Sequence, residues 1–277
     1  MAGSEVENAR RFLKFYQTGQ IVKNFPDARR GEMGQIIARV GLFGLTGSGK
    51  SSFINTVSRC IEGKDMDLAM VQSSGAEGTV ILEEFGFGGE GTNKPGFKLT
   101  DTRGFGVLGE DANKEMLAIL NGDIRDGQFI DRGEMREMAG HDYRLSREIH
   151  VVLWFLKGSD PRLKSGAYQS HMEFLRMQLF KRAMKTLTII THDDELQRKG
   201  CTEQKRQNIA ELARQITGSD PDQTYFLTNY MKGKPFATEN IQQVLDIVKT
   251  ALRAAEYTIR MRQSKRELHE RVENLAL

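Results

Sequence analysis

Gly44-Leu45-Thr46-Gly47-Ser48-Gly49-Lys50-Ser51 spells GxxxxGK[ST], a complete phosphate-binding loop. Its glycines let the backbone curl into a concave nest of N–H groups that face phosphate oxygens. Lys50 is expected to reach the β- and γ-phosphates, and the Ser51 hydroxyl to ligate Mg²⁺. Gly44, Thr46, Gly47, Ser48, Gly49 and Ser52 complete the cradle. Such a loop needs a strand before it and a helix after it. Residues 35–43 are apolar, rich in β-branched side chains, and read as a buried strand. Phe53, Ile54, Val57 and Ile61 follow at helical spacing. With both flanks correct, a chance match is disfavoured.

Downstream, residues 79–85 read as a strand, 86–96 as a glycine-rich hairpin connection, and 97–100 as the returning strand. Asp101-Thr102-Arg103-Gly104 follows directly. Asp101 is placed to bind Mg²⁺, through a water, and the Gly104 N–H to meet a γ-phosphate, as in a DxxG phosphate sensor. Thr79, opening the strand before the hairpin, is the candidate switch residue for metal and γ-phosphate. Thr92 is its rival, but falls at the hairpin tip. Arg103 is a candidate phosphate contact or a solvated switch residue.

Residues 186–191 form another strand, ending in Thr191-His192-Asp193-Asp194. A carboxylate there accepts both N1–H and N2–H of guanine, a donor pair that adenine lacks. Asp194 fits that role. Thr191 would secure the loop and His192 would lie on the base plane. The plain alternative is a helix cap made by Asp193 or Asp194. Asn229, after a short strand at 224–228, marks the last base-contacting loop, or a turn.

Strands alternating with helices predict an α/β fold, with a mostly parallel sheet, one antiparallel strand pair and helices on both faces. Residues 149–155 are the strongest buried-strand signal. Helices are expected at 5–16, 115–120, 134–147, 168–184, 202–216 and from 238 to about 272. The first carries Ala9, Phe12, Leu13 and Tyr16 on one side and is expected to pack on the main domain. The last carries Ile241, Val244, Leu245, Val248, Leu252, Ala255 and Ile259 along one stripe. The division expected is 1–33, an N-terminal helical segment; 34–235, the nucleotide domain; and 236–277, a C-terminal helix.

The chain has 277 residues and a net charge of +3, with both signs mixed, which points to no nucleic-acid partner. Cys60 and Cys201 are too few for a disulfide framework and lack metal-ligand spacing, as in a reduced cytoplasmic protein. No run approaches the ~20 apolar residues of a membrane span, so direct membrane insertion is not expected.

The order of phosphate loop, switch threonine, Asp-Thr-x-Gly and Thr-His-x-Asp resembles the translation-factor-related superfamily of P-loop GTPases. Gly-Lys-Ser-Ser-Phe-Ile-Asn at 49–55 is typical of it. The likeness is greatest to its septin-related branch, with the immunity-associated, chloroplast-import-receptor and interferon-inducible GTPases. It covers about residues 36–230. It implies a G domain that binds GTP or GDP with Mg²⁺ and hydrolyses GTP, a nucleotide-dependent homodimer, and an unidentified protein effector. Two departures bear on catalysis. Phe105 stands where Ras-like enzymes place a water-orienting glutamine, and Thr46 where their loops have glycine. Unaided hydrolysis is therefore expected to be slow, with a dimer or other partner supplying the missing group; Ser48, His192 and Arg103 are further candidates. The alternatives are a GTP-binding scaffold that does not turn over, or an ATPase.

Overall fold

A computed structural model of the chain describes residues 2–22, 33–63, 67–69, 81–102, 104–105, 109–128 and 145–275. Six strands form one sheet in the order β2-β3-β1-β4-β5-β6. They are β1 (Ala38–Gly44), β2 (Glu83–Phe87), β3 (Phe97–Asp101), β4 (Val151–Lys157), β5 (Thr186–Thr191) and β6 (Thr224–Leu227). Among the described residues only β2 with β3 is antiparallel; the other pairings are parallel. The central strands β1, β4 and β5 are apolar on both faces and almost wholly buried, as parallel strands covered by helices must be.

Two cores lie on opposite faces of this sheet. One joins α1 (Ala2–Phe15), α2 (Lys50–Glu62) and α8 (Thr238–Leu275). The other joins α3 (Glu110–Asn121), the short α4 (Arg162–Ser165), α5 (Gln169–Lys181) and α7 (Glu203–Thr217). A further short helix, α6 (Asp193–Arg198), follows β5. The fold class is the one expected: a mostly parallel α/β sheet with one antiparallel strand, helices on both faces, and added N- and C-terminal helices.

Both terminal helices pack on the sheet domain. In α1, Val6, Ala9 and Leu13 are buried, with Tyr16 just beyond it, and α1 lies against α8 and α2. A buried carboxyl group fixes this join. Glu256 of α8 accepts from the Tyr16 hydroxyl at 2.7 Å and from the backbone N–H groups of Gly19 at 2.8 Å, Ile21 at 3.1 Å and Val22 at 2.6 Å. Burial, with Glu256 beside it, raises the Tyr16 phenol well above its ordinary range, so it stays a donor. At 38 residues, α8 is about 57 Å long.

Several boundaries differ from the sequence reading. β2 begins at Glu83, with residues 79 and 80 outside the described residues, and it runs on to Phe87. β4 begins two residues late. Ile149 N–H bonds the Leu120 carbonyl, and His150 exchanges hydrogen bonds with the Arg39 backbone instead of entering the strand. Burial lowers the His150 imidazole to about 4, so it is neutral, and Nε2 faces the Leu145 carbonyl as donor. α5 stops at Lys181, and Ala183 turns into a left-handed conformation at φ 50°. The helix expected at 134–147 falls mostly outside the described residues; 145–147 form a turn.

Candidate functional site

The order β3-β1-β4 places β1 where successive connections leave in opposite directions, the crevice where open α/β sheets bind ligands. The phosphate loop stands there, at the carboxyl end of β1. Gly49 is left-handed at φ 92° and caps α2. A Cβ at Gly49 would meet the Asn229 amide at 2.9 Å, so residue 49 is confined to glycine by conformation and space.

Lys50 lies under the loop, buried, with Nζ donating to the carbonyls of Gly44 at 3.2 Å and Leu45 at 3.3 Å. Burial lowers its ammonium to about 8, against the raising effect of Asp101. The Ser51 hydroxyl donates to Asp101 Oδ2 at 2.6 Å, and the loop thereby meets the DxxG segment. Burial raises the Asp101 carboxyl, opposed by the charge of Lys50 and by the Ser51 hydrogen bond. Asp101 Oδ1 and Ser48 Oγ are both buried, with no hydrogen-bond partner among the described residues. A water carried by a metal ion would supply the donor that Oδ1 needs, and a phosphate oxygen would accept from Ser48. The residues therefore fit Mg²⁺ and a phosphate chain.

The DxxG segment is stitched to the loop. Thr46 N–H bonds the Phe105 carbonyl, Phe105 N–H bonds the Gly44 carbonyl, and the Thr46 hydroxyl donates to the Gly104 carbonyl at 2.9 Å. A Cβ on Gly104 would lie 2.4 Å from the Thr46 Cα, so only glycine allows this approach. Phe105 is fully buried and stacked on Phe43, which stacks in turn on Trp154. The ring that replaces the glutamine of Ras-like enzymes is thus a core anchor. Thr79 and Arg103 lie outside the described residues. Thr92 bonds Gly89 and Lys94 within its own turn, so this rival to Thr79 is a turn residue.

The Thr191 hydroxyl donates to the Ser48 carbonyl at 2.8 Å and so fastens the second loop to the first. His192 Nδ1 lies 3.0 Å from the same hydroxyl. With the threonine proton committed to Ser48, Nδ1 carries the ring proton and Nε2 is left as acceptor. Burial, and then Lys157, lower the His192 imidazole further toward neutrality. His192 is left-handed at φ 60° and is itself the N-cap of α6. The alternative reading of Asp193 or Asp194 as the cap is therefore overturned; both lie in the first turn, where carboxylates suit the helix dipole. Asp193 is buried and paired with Arg206. Asp194 is half-buried, its N–H held by the Thr228 hydroxyl at 3.1 Å and its carboxylate beside Arg198 at 3.1 Å.

Asn229 turns its amide into the phosphate loop. Nδ2 donates to the Gly49 carbonyl at 3.0 Å, and Oδ1 faces the Thr56 hydroxyl at 3.5 Å. Tyr230 N–H bonds Thr56 Oγ1 and its ring lies under Arg59. The place of residue 229 after β6 is legible in the sequence; its contact with Gly49, 180 residues away, has no local signal.

No family model matches the chain. Interferon-induced protein 44 of Homo sapiens is 29% identical over 168 residues, 57% of this chain and 37% of that protein. The Pan troglodytes protein of the same name gives the same figures. The chain thus spans 37% of the length of the curated relatives it matches. Among solved structures, a dimerisation-deficient mutant of Toc33 from Arabidopsis thaliana has a TM-score of 0.45 at 14% identity, covering 79% of this chain and 84% of that one. Toc33 in complex with GDP and Mg²⁺ gives 0.42 at 15% identity over the same shares. The FeoB G domain of Methanococcus jannaschii gives 0.37 at 13% identity, covering 79% of this chain and 99% of that one.

Proposed function

We propose that the chain is a Mg²⁺-dependent GTP-binding protein that hydrolyses GTP to GDP, slowly alone and faster with a partner. The observation that carries this reading is the hydrogen bond from Ser51 to Asp101, beside a buried Lys50 and two buried polar atoms that have no partner among the described residues. It joins a phosphate loop to a carboxylate at the end of β3, the two elements that hold a magnesium nucleotide in such sheets.

The residue roles follow from the chemistry. Lys50 and the amides of residues 44–52 neutralise phosphate charge, including the charge that grows in the transition state. Ser51 and Asp101 would hold Mg²⁺, and Thr79 is proposed as its third protein contact. Mg²⁺, when bound, would supply positive charge that offsets the charge of the phosphates. The Gly104 N–H and Arg103 are proposed contacts to the terminal phosphate. Asp194 accepts the two guanine donors, while Thr191 and Asn229 hold their loops on the phosphate loop and His192 flanks the base. The nucleotide domain is proposed to span 34–235, with 1–33 and 236–277 as helical additions, and its branch is proposed to be the septin-related one.

Phe105, buried in the core, cannot orient a water, which supports slow unaided hydrolysis. The missing group is proposed to come from a second copy across the nucleotide face or from a protein effector. The same residue keeps a second reading in play, a GTP-binding scaffold that does not turn over. Among the described residues no helix is long and apolar enough to cross a membrane. A cytoplasmic setting is proposed on the two free thiols, of which Cys60 is buried and raised to about 12, hence unreactive. GTP turnover measured across protein concentrations tests this reading. A rate per molecule that rises with concentration supports assisted hydrolysis. A flat, near-zero rate with GTP bound assigns the chain to the scaffold reading.

A further inference from the structure

The helix α5 has two apolar faces. Met172, Leu175 and Leu179 are buried in the core beneath it. Phe174, Met177 and Phe180 recur at every third position, and Met177 is 50% and Phe180 87% exposed. At 100° per residue these three share an arc of about 120° on the side away from the core. Met177 and Phe180 also border a cleft of about 600 Å³ between α5, α7 and the start of β5, whose lining is mixed: Met184 and Gly218 alongside Arg176, Lys185 and Asp220. A phenylalanine held in water on a folded helix gains nothing for the monomer, and a contiguous exposed apolar stripe marks a contact surface.

We propose that this face pairs with the same face of a second copy, the two α5 helices lying antiparallel about a twofold axis through Met177. The sequence of the face is self-complementary in that arrangement and in no parallel one. Phe174 falls opposite the second copy's Phe180, and Met177 meets itself. Glu173 falls opposite the second copy's Lys181, twice over by symmetry. Both charged residues are exposed and lie within the same arc as the apolar stripe. Parallel packing would instead set Glu173 against Glu173 and Lys181 against Lys181, like charges that repel. Such an isologous contact is what a twofold dimer requires. One helix face buries less than the ~800 Å² per partner of a standard interface, so the dimer should be weak, with a dissociation constant on the order of 100 µM. This surface shares no residue with the phosphate loop, Asp101 or residues 191–194, so the proposal stands apart from the nucleotide reading.

The test is sedimentation of the full chain from about 1 to 500 µM, in EDTA without nucleotide and again with GDP and Mg²⁺. The expected result is the same concentration-dependent dimer in both conditions. In EDTA without nucleotide, where no pairing across the nucleotide face is expected, Phe180→Asp should be monomeric throughout, with an unchanged melting temperature because the side chain is exposed. Glu173→Lys and Lys181→Glu should each weaken the dimer about tenfold, and the double variant should restore it. A wild-type chain that stays monomeric over the whole range overturns the proposal. So does self-association of Phe180→Asp equal to wild type in EDTA, or a double variant no tighter than either single one.

Discussion

The Ser51 hydroxyl and the Asp101 carboxylate are in hydrogen-bond contact at 2.6 Å, across 50 residues of sequence. The contact draws together the end of β3 and the start of α2, and the buried ammonium of Lys50 lies close enough to influence the Asp101 charge. The site is therefore a small electrostatic system whose charges respond to whatever binds there.

If Lys50 contacts the phosphates as proposed, nucleotide affinity should depend on pH. In the free protein burial holds its ammonium at about 8. Bound phosphates favour the charged form and raise that value, so binding takes up a proton wherever the free amine is neutral. Affinity for GDP should be flat below pH 7.5 and fall by up to about tenfold per unit above pH 8. Calorimetric titration between pH 7 and pH 9.5, in buffers of differing ionisation enthalpy, reads both the affinity and the proton. An unchanged affinity at pH 9.5 would contradict the burial of this amine.

The same burial costs the nucleotide-free fold stability. The folded value lies below the ordinary 10.5 of lysine, so the charged side chain is penalised below pH 8, and the penalty fades as pH approaches 10.5. Lys50→Met removes it. The variant should melt higher than wild type without nucleotide, by at most roughly 3 kcal/mol at pH 7, and should lose GTP binding by more than about 100-fold. Thermal melts with and without GTP check both effects. A destabilised nucleotide-free variant would show that Lys50 supports the loop through its two carbonyl contacts more than it strains it.

Guanine selection is proposed to rest on Asp194. Asp194→Asn exchanges one acceptor for a donor and should move preference from guanosine to xanthosine nucleotides, by about 100-fold in the ratio of affinities. Competition between GTP and XTP on the purified variant measures this. Unchanged GTP affinity would remove Asp194 from the base site and leave it as the partner of Arg198.

The join between α1 and α8 depends on Glu256. Glu256→Ala leaves the buried Tyr16 hydroxyl and three backbone donors without an acceptor and should cost roughly 3 kcal/mol or more; Tyr16→Phe should cost about 1 kcal/mol. Hydrogen exchange should rise across residues 2–22 in the first variant while the β1 and β4 amides stay protected. Loss of protection in the central strands as well would make Glu256 a support of the whole domain.

These residues also show what the sequence made legible. β1, the loop and α2 were readable because each carries a local signal: a β-branched run, fixed glycine spacing, then helical periodicity. Thr191 was read as the residue that secures its loop, and its hydroxyl does reach Ser48. The clamp at Glu256 was not readable, because a lone glutamate in a long helix looks like any solvated one until residues 240 positions away close over it. The left-handed backbone of His192 had no marker, since a histidine there is ordinary in composition. Phe105 was recognised for what it cannot do, but its stacking on Phe43 depends on strand register and is visible only in the fold. The outward stripe of α5 was hidden for the opposite reason. Apolar residues on both faces blur the periodicity, so the sequence marks α5 as a helix without separating its two faces.

The central claim is that this crevice selects a guanine nucleotide, and titration of nucleotide-free protein with GTP and with ATP, both with Mg²⁺, tests it most directly. GTP is predicted to bind with micromolar or tighter affinity and ATP at least about 100-fold more weakly. Equal affinity for the two, or tighter binding of ATP, would contradict it.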